Sequence, residues 1–131
     1  REKINAHRAD FDIERIAFDP WHADQLANQL LALDGWSDQQ VIAVPQTFQG
    51  LSSAEAKFQA EVMGGNVDAG GSPLLAWCAS NVVSQTDGKE NIMFTKKKSR
   101  GRIDPIKAAT TAMSLALRMP IEQSGVSFEW V

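Results

Sequence analysis

The stretch "IAFDPWHADQLANQL", residues 16–30, changes its period in the middle. Ile13, Ile16 and Phe18 make a short apolar strand that ends at Asp19, whereas from Pro20 onward Trp21, Leu26, Leu30, Leu31 and Leu33 fall at mostly helical spacing. Gly35 supplies a C-terminal stop, so a helix is predicted over about 20–33. The next apolar run, "VIAVPQ" at 41–46, reads as a second strand ended by Pro45. Strand, helix and strand in succession imply parallel pairing with helices on the faces, an α/β layer architecture.

The rest of the chain extends this pattern. Residues 2–10 read as a short helix. In "LSSAEAKFQAEVMGG", 51–65, Ser52 and Glu55 match a capping box ahead of Ala56, Phe58, Val62 and Met63, with Gly64 and Gly65 as the stop. After Gly70 and Gly71, Ser72 caps a helix that opens at Pro73 and runs through Leu74, Leu75, Trp77 and Cys78. "NVVSQT" and "NIMFTK" flank "DGKE", which predicts a hairpin turning at Asp87 and Gly88. A last helix is expected from Pro105 to Pro120, with Ile106, Ala109, Met113 and Leu117 as its apolar stripe. Val126, Phe128 and Trp130 then alternate with polar residues, as a terminal strand or a tail that pairs with a neighbour. Trp21, Trp36 and Trp77 are expected in or beside the core, and Cys78 as a buried small hydrophobe.

Composition bounds the function classes. The 131 residues fit one domain, and a chain of that size buries roughly two-thirds of its unfolded surface. A formal charge of −3 argues against nucleic-acid binding through overall charge and directs attention to local basic patches. The single cysteine excludes an intramolecular disulfide and a cysteine-based zinc site, which makes a reducing cytoplasm the expected compartment. No apolar run approaches the roughly 20 residues needed to span a bilayer, and the N-terminus lacks a signal peptide's apolar region. The charged helical start without a methionine predicts a piece of a longer chain.

Asp-Pro recurs in "RIDPIKAAT", 102–110. Aspartate is a favoured helix N-cap and proline a favoured first helical residue, so capping explains both junctions locally. An aspartate at the C-terminal end of a strand also stands where open α/β sheets bind ligands. Two converging carboxylates repel one another until a divalent cation relieves the repulsion. Magnesium and manganese prefer such hard oxygen ligands, and a pair of them roughly 4 Å apart can clamp the two reacting oxygens of a phosphodiester. Asp19 and Asp104 are therefore candidate metal ligands. "KKKSRGR", 96–102, gathers Lys96, Lys97, Lys98, Arg100 and Arg102 just before Asp104, as a solvated loop or as a contact for DNA phosphates. Asp87 is first a turn residue and second a further metal-ligand candidate. His22 reads as a surface histidine, and Asn81 as a residue that fixes backbone geometry.

Four blocks in order, "IAFDPWHADQLANQL", "VPQTFQGLSSAEAKFQAEV", "GGSPLLAWCASNVV" and "GRIDPIKAATTAMSLALR", closely resemble the C-terminal nuclease domain of the large terminase subunit of tailed phages, from about residue 10 to 119. The resemblance implies an RNase H-like fold and a metal-dependent endonuclease that cuts concatemeric double-stranded DNA by a two-metal mechanism. Asp19 and Asp104 match two of the family's catalytic acidic residues, which bind two Mg²⁺ or Mn²⁺ ions. The third belongs to a first strand expected upstream of residue 1. On this reading residues 1–131 are a single, partial nuclease domain truncated at its N-terminal strands, the ATPase motor domain is absent, and the chain alone is weakly active or inactive. The implied partners are double-stranded DNA, the small terminase subunit and the portal protein. The full protein is expected as a ring on the capsid, in the cytoplasm of the bacterial host. Two rivals stay open: a non-catalytic DNA-gripping or portal-docking module, and an RNase H-like resolvase.

Overall fold

The computed structural model describes residues 1–21, 23–97 and 100–119, which form two compact units, Arg1–Gln46 and Thr47 onward. The expected tail pattern at 126–130 lies outside the described residues. Among them, no helix is long and apolar enough to cross a membrane.

The first unit is the predicted β-α-β. It comprises α1 (Glu2–His7), β1 (Ile16–Phe18), α2 (Asp24–Leu33) and β2 (Val41–Ala43), with β1 and β2 parallel and Ile16 opposite Val41. Ala27, Leu30, Trp36 and Val41 make its core, covered by Ile4, Ile13, Ile16, Phe18 and Leu31. A buried indole needs a partner for its N–H, and Trp36 Nε1 donates to Asn5 Oδ1 at 3.0 Å. The Arg8 guanidinium lies 4.4 Å from the centre of the Trp36 ring, a cation–π contact. Helix α2 starts four residues later than Pro20: its cap position is Ala23, and Asp19 Oδ1 instead accepts the Trp21 N–H at 3.0 Å in a local turn. Trp21 is consequently 77% exposed and Trp77 50%, so of the three expected core tryptophans only Trp36 is buried.

The second unit comprises α3 (Phe48–Met63), α4 (Pro73–Ser80), β3 (Ser84–Thr86), β4 (Ile92–Phe94) and α5 (Asp104–Ala116). The hairpin forms as predicted, antiparallel, with Ser84 opposite Phe94 and Thr86 opposite Ile92. Asp87 holds its turn: Oδ1 accepts from the Lys89 and Asn91 amides and Oδ2 from Asn91 Nδ2, while Glu90 takes a left-handed φ of 63°. Ser72 caps α4 as expected, accepting from Leu75 N at 3.3 Å. Cys78 is buried with Phe94, Ile103 and Ile106. Full burial of an aliphatic side chain such as Ile103 contributes roughly 1.5–3 kcal/mol.

Two expectations fail here. There is no capping box, because α3 begins at Phe48, where Thr47 Oγ1 caps by accepting from Gly50 N at 3.1 Å. Ser52 and Glu55 lie one and two turns inside the helix and reach across to β4. The Ile92 N–H donates to Ser52 Oγ at 3.0 Å and the Phe94 N–H to Glu55 Oε2 at 2.6 Å. Two positions apart on a strand, these amides share the edge of β4 that faces away from β3, and the helix satisfies them in place of a third strand. Glu55 Oε1 meets Lys107 Nζ of α5 at 2.6 Å, and the Glu55 side chain has no exposure at all.

The stripe expected on α5 is also out of phase. Ile106, Thr110, Thr111, Ser114 and Leu115 are the buried residues, whereas Ala109 is exposed and Leu117 half-exposed. Hydroxyls turn inward because they bond carbonyls of their own helix: Thr110 and Thr111 donate to Lys107 O and Ser114 to Thr111 O. An apolar count cannot see that face.

Removing one partner of a buried ion pair leaves an unpaired buried charge. Lys107→Met is therefore expected to lower stability by roughly 3–5 kcal/mol in urea unfolding, and a loss below about 1 kcal/mol would contradict the role given to Glu55. Asp87 has its carboxyl held below the usual aspartate value, chiefly by the Asn91 side-chain bond, which outweighs the opposing effect of burial, with smaller help from the amides of Lys89 and Asn91. A depressed folded-state value means stability present above the unfolded value and lost as pH falls through the folded one. Asp87→Asn should thus be less stable than wild type at about pH 6, with the gap narrowing towards about pH 2; a gap independent of pH would refute the turn's dependence on the charged form.

Candidate metal and nucleic-acid site

In the first unit, Asp19 follows the last residue of β1, at the carboxyl end of the parallel pair. Its side chain is exposed, and with Pro20, Trp21, Pro45 and Gln46 it lines a shallow depression. The Val44 amide donates to Phe18 O at 2.8 Å and Gln46 Nε2 to Val44 O at 3.1 Å, so the chain leaving β2 is tied beside the chain leaving β1. Open α/β layers present their ligand-binding loops at this end of the strands. One Asp19 oxygen is committed to the Trp21 amide.

In the second unit, Asp104 is the first residue of α5. It is not the cap: that position belongs to Ile103, which makes no side-chain cap bond, and Pro105 follows within the first turn. Two of the basic-loop candidates approach it. Lys96 Nζ donates to Asp104 Oδ1 in an ion pair, and Arg102 Nη1 lies 3.9 Å from Oδ2. Lys97 and Arg100 are exposed, with the Lys97 amide donating to Thr95 Oγ1 at 3.2 Å. Lys98 lies outside the described residues. The Lys96 hydrogen bond, aided by the charges of Lys96 and Arg102 and opposed by burial, holds the Asp104 carboxyl below its usual value, so the group is ionised at neutral pH.

The loop that carries these cations is fastened at both ends. Thr95 is buried and its amide donates to Val83 O at 2.9 Å, while Ile103 is fully buried in the core. Asn81, which follows α4, donates from Nδ2 to Arg102 O at 3.5 Å. A Cβ on Gly101 would come within 2.5 Å of that Asn81 side chain and would push it aside, so glycine here keeps the Asn81 contact with the loop. The expectation that Asn81 fixes backbone geometry agrees with this contact.

Asp87 sits at the hairpin turn with both oxygens bonded to turn residues. Among the described residues no group of three or more His, Cys, Asp or Glu side chains gathers as a cation site. Sequence reasoning missed the Glu55–Lys107 anchor, although one signal was available: Glu55 falls between Leu51 and Phe58 on the apolar side of its helix, where a free carboxylate would be costly.

The chain is similar to known proteins. A family described as the terminase large subunit, endonuclease domain, matches residues 3–119. The terminase large subunit of Enterobacteria phage HK97 is 33% identical over 116 residues, covering 88% of this chain and 23% of the phage protein. A crystal structure of the HK97 bacteriophage large terminase superposes with a TM-score of 0.76 at 31% identity, covering 87% of this chain and 23% of that one. The chain thus spans under a quarter of the length of the relatives it matches, and the matched residues include most of both units. It belongs to the family of terminase large subunit endonuclease domains.

Proposed function

We propose that this chain is the catalytic portion of a divalent-metal-dependent endodeoxyribonuclease of RNase H-like fold, which hydrolyses phosphodiesters of concatemeric double-stranded DNA during phage packaging. The observation that carries the reading is Asp104: an exposed, ionised carboxylate at the start of a 13-residue helix, flanked by basic side chains. An anion there is favoured by the helix dipole, and the surrounding cations suit the phosphates on either side of a scissile bond.

The donor chemistry fits Mg²⁺ or Mn²⁺. Asp19 and Asp104 both offer exposed carboxylate oxygens, the hard ligands these ions take, and neither is sealed in a fully satisfied network as Glu55 is. Asp19 and Asp104 would each contribute oxygens to the cations. Bound there, two divalent ions would supply Lewis-acid stabilisation of the displacement at phosphorus. The remaining work belongs to the chain: the exposed Lys97 and Arg100 engage backbone phosphates. Sequence choice is left to other subunits, since the basic side chains read phosphate rather than base edges. The small terminase subunit and the portal are the proposed partners, with assembly as a ring on the capsid inside the bacterial host. Within that assembly residues 1–131 act as part of a single nuclease domain.

In the full-length protein Asp104→Asn is expected to reduce Mn²⁺-dependent cleavage of duplex DNA by at least about a hundredfold with little change in stability, because asparagine is a much poorer ligand. Cleavage at the wild-type rate would point instead to a non-catalytic DNA-gripping module. Lys97→Glu should reduce the slope of log affinity against log salt by about 1, and an unaltered slope would remove Lys97 from the phosphate interface.

A further inference from the structure

We infer that Lys96 is a tethered competitor for the divalent cation at Asp104, an ammonium group that occupies the carboxylate until the metal displaces it. The inference rests on the reading of Asp104 as a metal ligand. Three observations carry it. Lys96 donates directly to Oδ1, whereas the second cation, Arg102, stands off at 3.9 Å from Oδ2, so one oxygen is occupied and the other only attracted. The pairing is built by the fold: Lys96 follows Thr95, whose amide is bonded to β3's neighbour Val83, and Asp104 follows the fully buried Ile103. Both anchors lie in the second unit and place the two side chains face to face across the loop. The pair is also exchangeable, since the Lys96 side chain is 61% exposed and that of Asp104 47%. Exposed ion pairs are weak, so the lysine can keep the carboxylate ionised and oriented and still yield it to a doubly charged ion.

This contrasts with Lys107, which meets Glu55 where that carboxylate has no exposure and cannot be exchanged without unpairing a buried charge. Of these two lysine–carboxylate pairs, one is structural and the other labile. Once displaced, the Lys96 ammonium remains on the same loop as Lys97 and Arg100, free to meet the anionic substrate, so metal entry and phosphate binding reinforce each other.

The test is calorimetric titration of the nucleotide-free, full-length protein with Mn²⁺ alone, comparing wild type, Lys96→Met, Lys97→Met and Asp104→Asn. Lys97 is the control for loss of one loop charge, since it forms no ion pair among the described residues. Lys96→Met is expected to bind Mn²⁺ about two- to fivefold more tightly than wild type, Lys97→Met to change affinity less, and Asp104→Asn to cancel the gain when combined with Lys96→Met. Equal binding by wild type and Lys96→Met, with Asp104→Asn weakened, would overturn the competitor role alone. Equal binding by wild type and Asp104→Asn, or binding by none of the four, would overturn the metal-ligand reading and this inference together. Lys96→Gln guards against a folding artefact: it keeps a polar side chain of similar length and should tighten binding in the same direction.

Discussion

A carboxylate with no exposure to water has to find partners for both oxygens, and Glu55 finds them on two different elements. The Phe94 amide takes Oε2 and Lys107 takes Oε1, each at 2.6 Å, which joins α3 to the strand on one side and to α5 on the other. Moving such a charge out of water costs far more than a surface pair returns, so the arrangement persists only while both bonds are made. The register of β4 against α3 follows, because only alternate amides face the helix and Ser52 accepts from the one two positions earlier. The rotation of α5 about its axis follows too. With Lys107 turned inward, Thr110, Thr111 and Ser114 share the buried face and Asp104 falls one turn before the anchored lysine, at the exposed start of the helix.

The basic loop takes its form from these constraints. Its first residue leaves a strand whose edge is occupied by α3, and its last enters a helix whose phase is set by the Glu55–Lys107 pair. Between them, Gly101 passes so near Asn81 that a single methyl group would displace the side chain. Lys96 and Arg102 are therefore held close to one carboxylate in a chain whose total charge is −3. Local geometry, rather than net charge, sets the electrostatics around Asp104.

In the first unit the corresponding carboxylate is placed by other means. Asp19 ends a strand of three residues whose parallel partner is tied to it through Val44, and a turn closed on the Trp21 amide delays α2 by four residues. That delay leaves Trp21 beside Asp19 in solvent, an uncommon position for an indole and one a bare helical period could not have foretold.

Much of this was legible in residue order alone. Period changes at Asp19 and Pro45 gave the parallel β-α-β, Ser72 with Pro73 gave the start of α4, Asp87 with Gly88 gave the hairpin, and four ordered blocks gave the family, because each of these signals is local or a matter of sequence. The failures share one cause. Ser52 and Glu55 carry a capping pattern, yet a carboxylate three residues past a serine bonds whatever amide lies nearest, and tertiary packing brought β4 there instead of the helix's own end. Thr110, Thr111 and Ser114 look polar until their hydroxyls close on the carbonyls of α5, after which they pack like small hydrophobes. Asp104 reads as a cap but lies inside the helix, with Lys96 from across the loop on its oxygen. Residue order determined which elements form and which family they compose; which side chains meet was decided only by the fold, since a buried charge or hydroxyl takes its partners from neighbours in space.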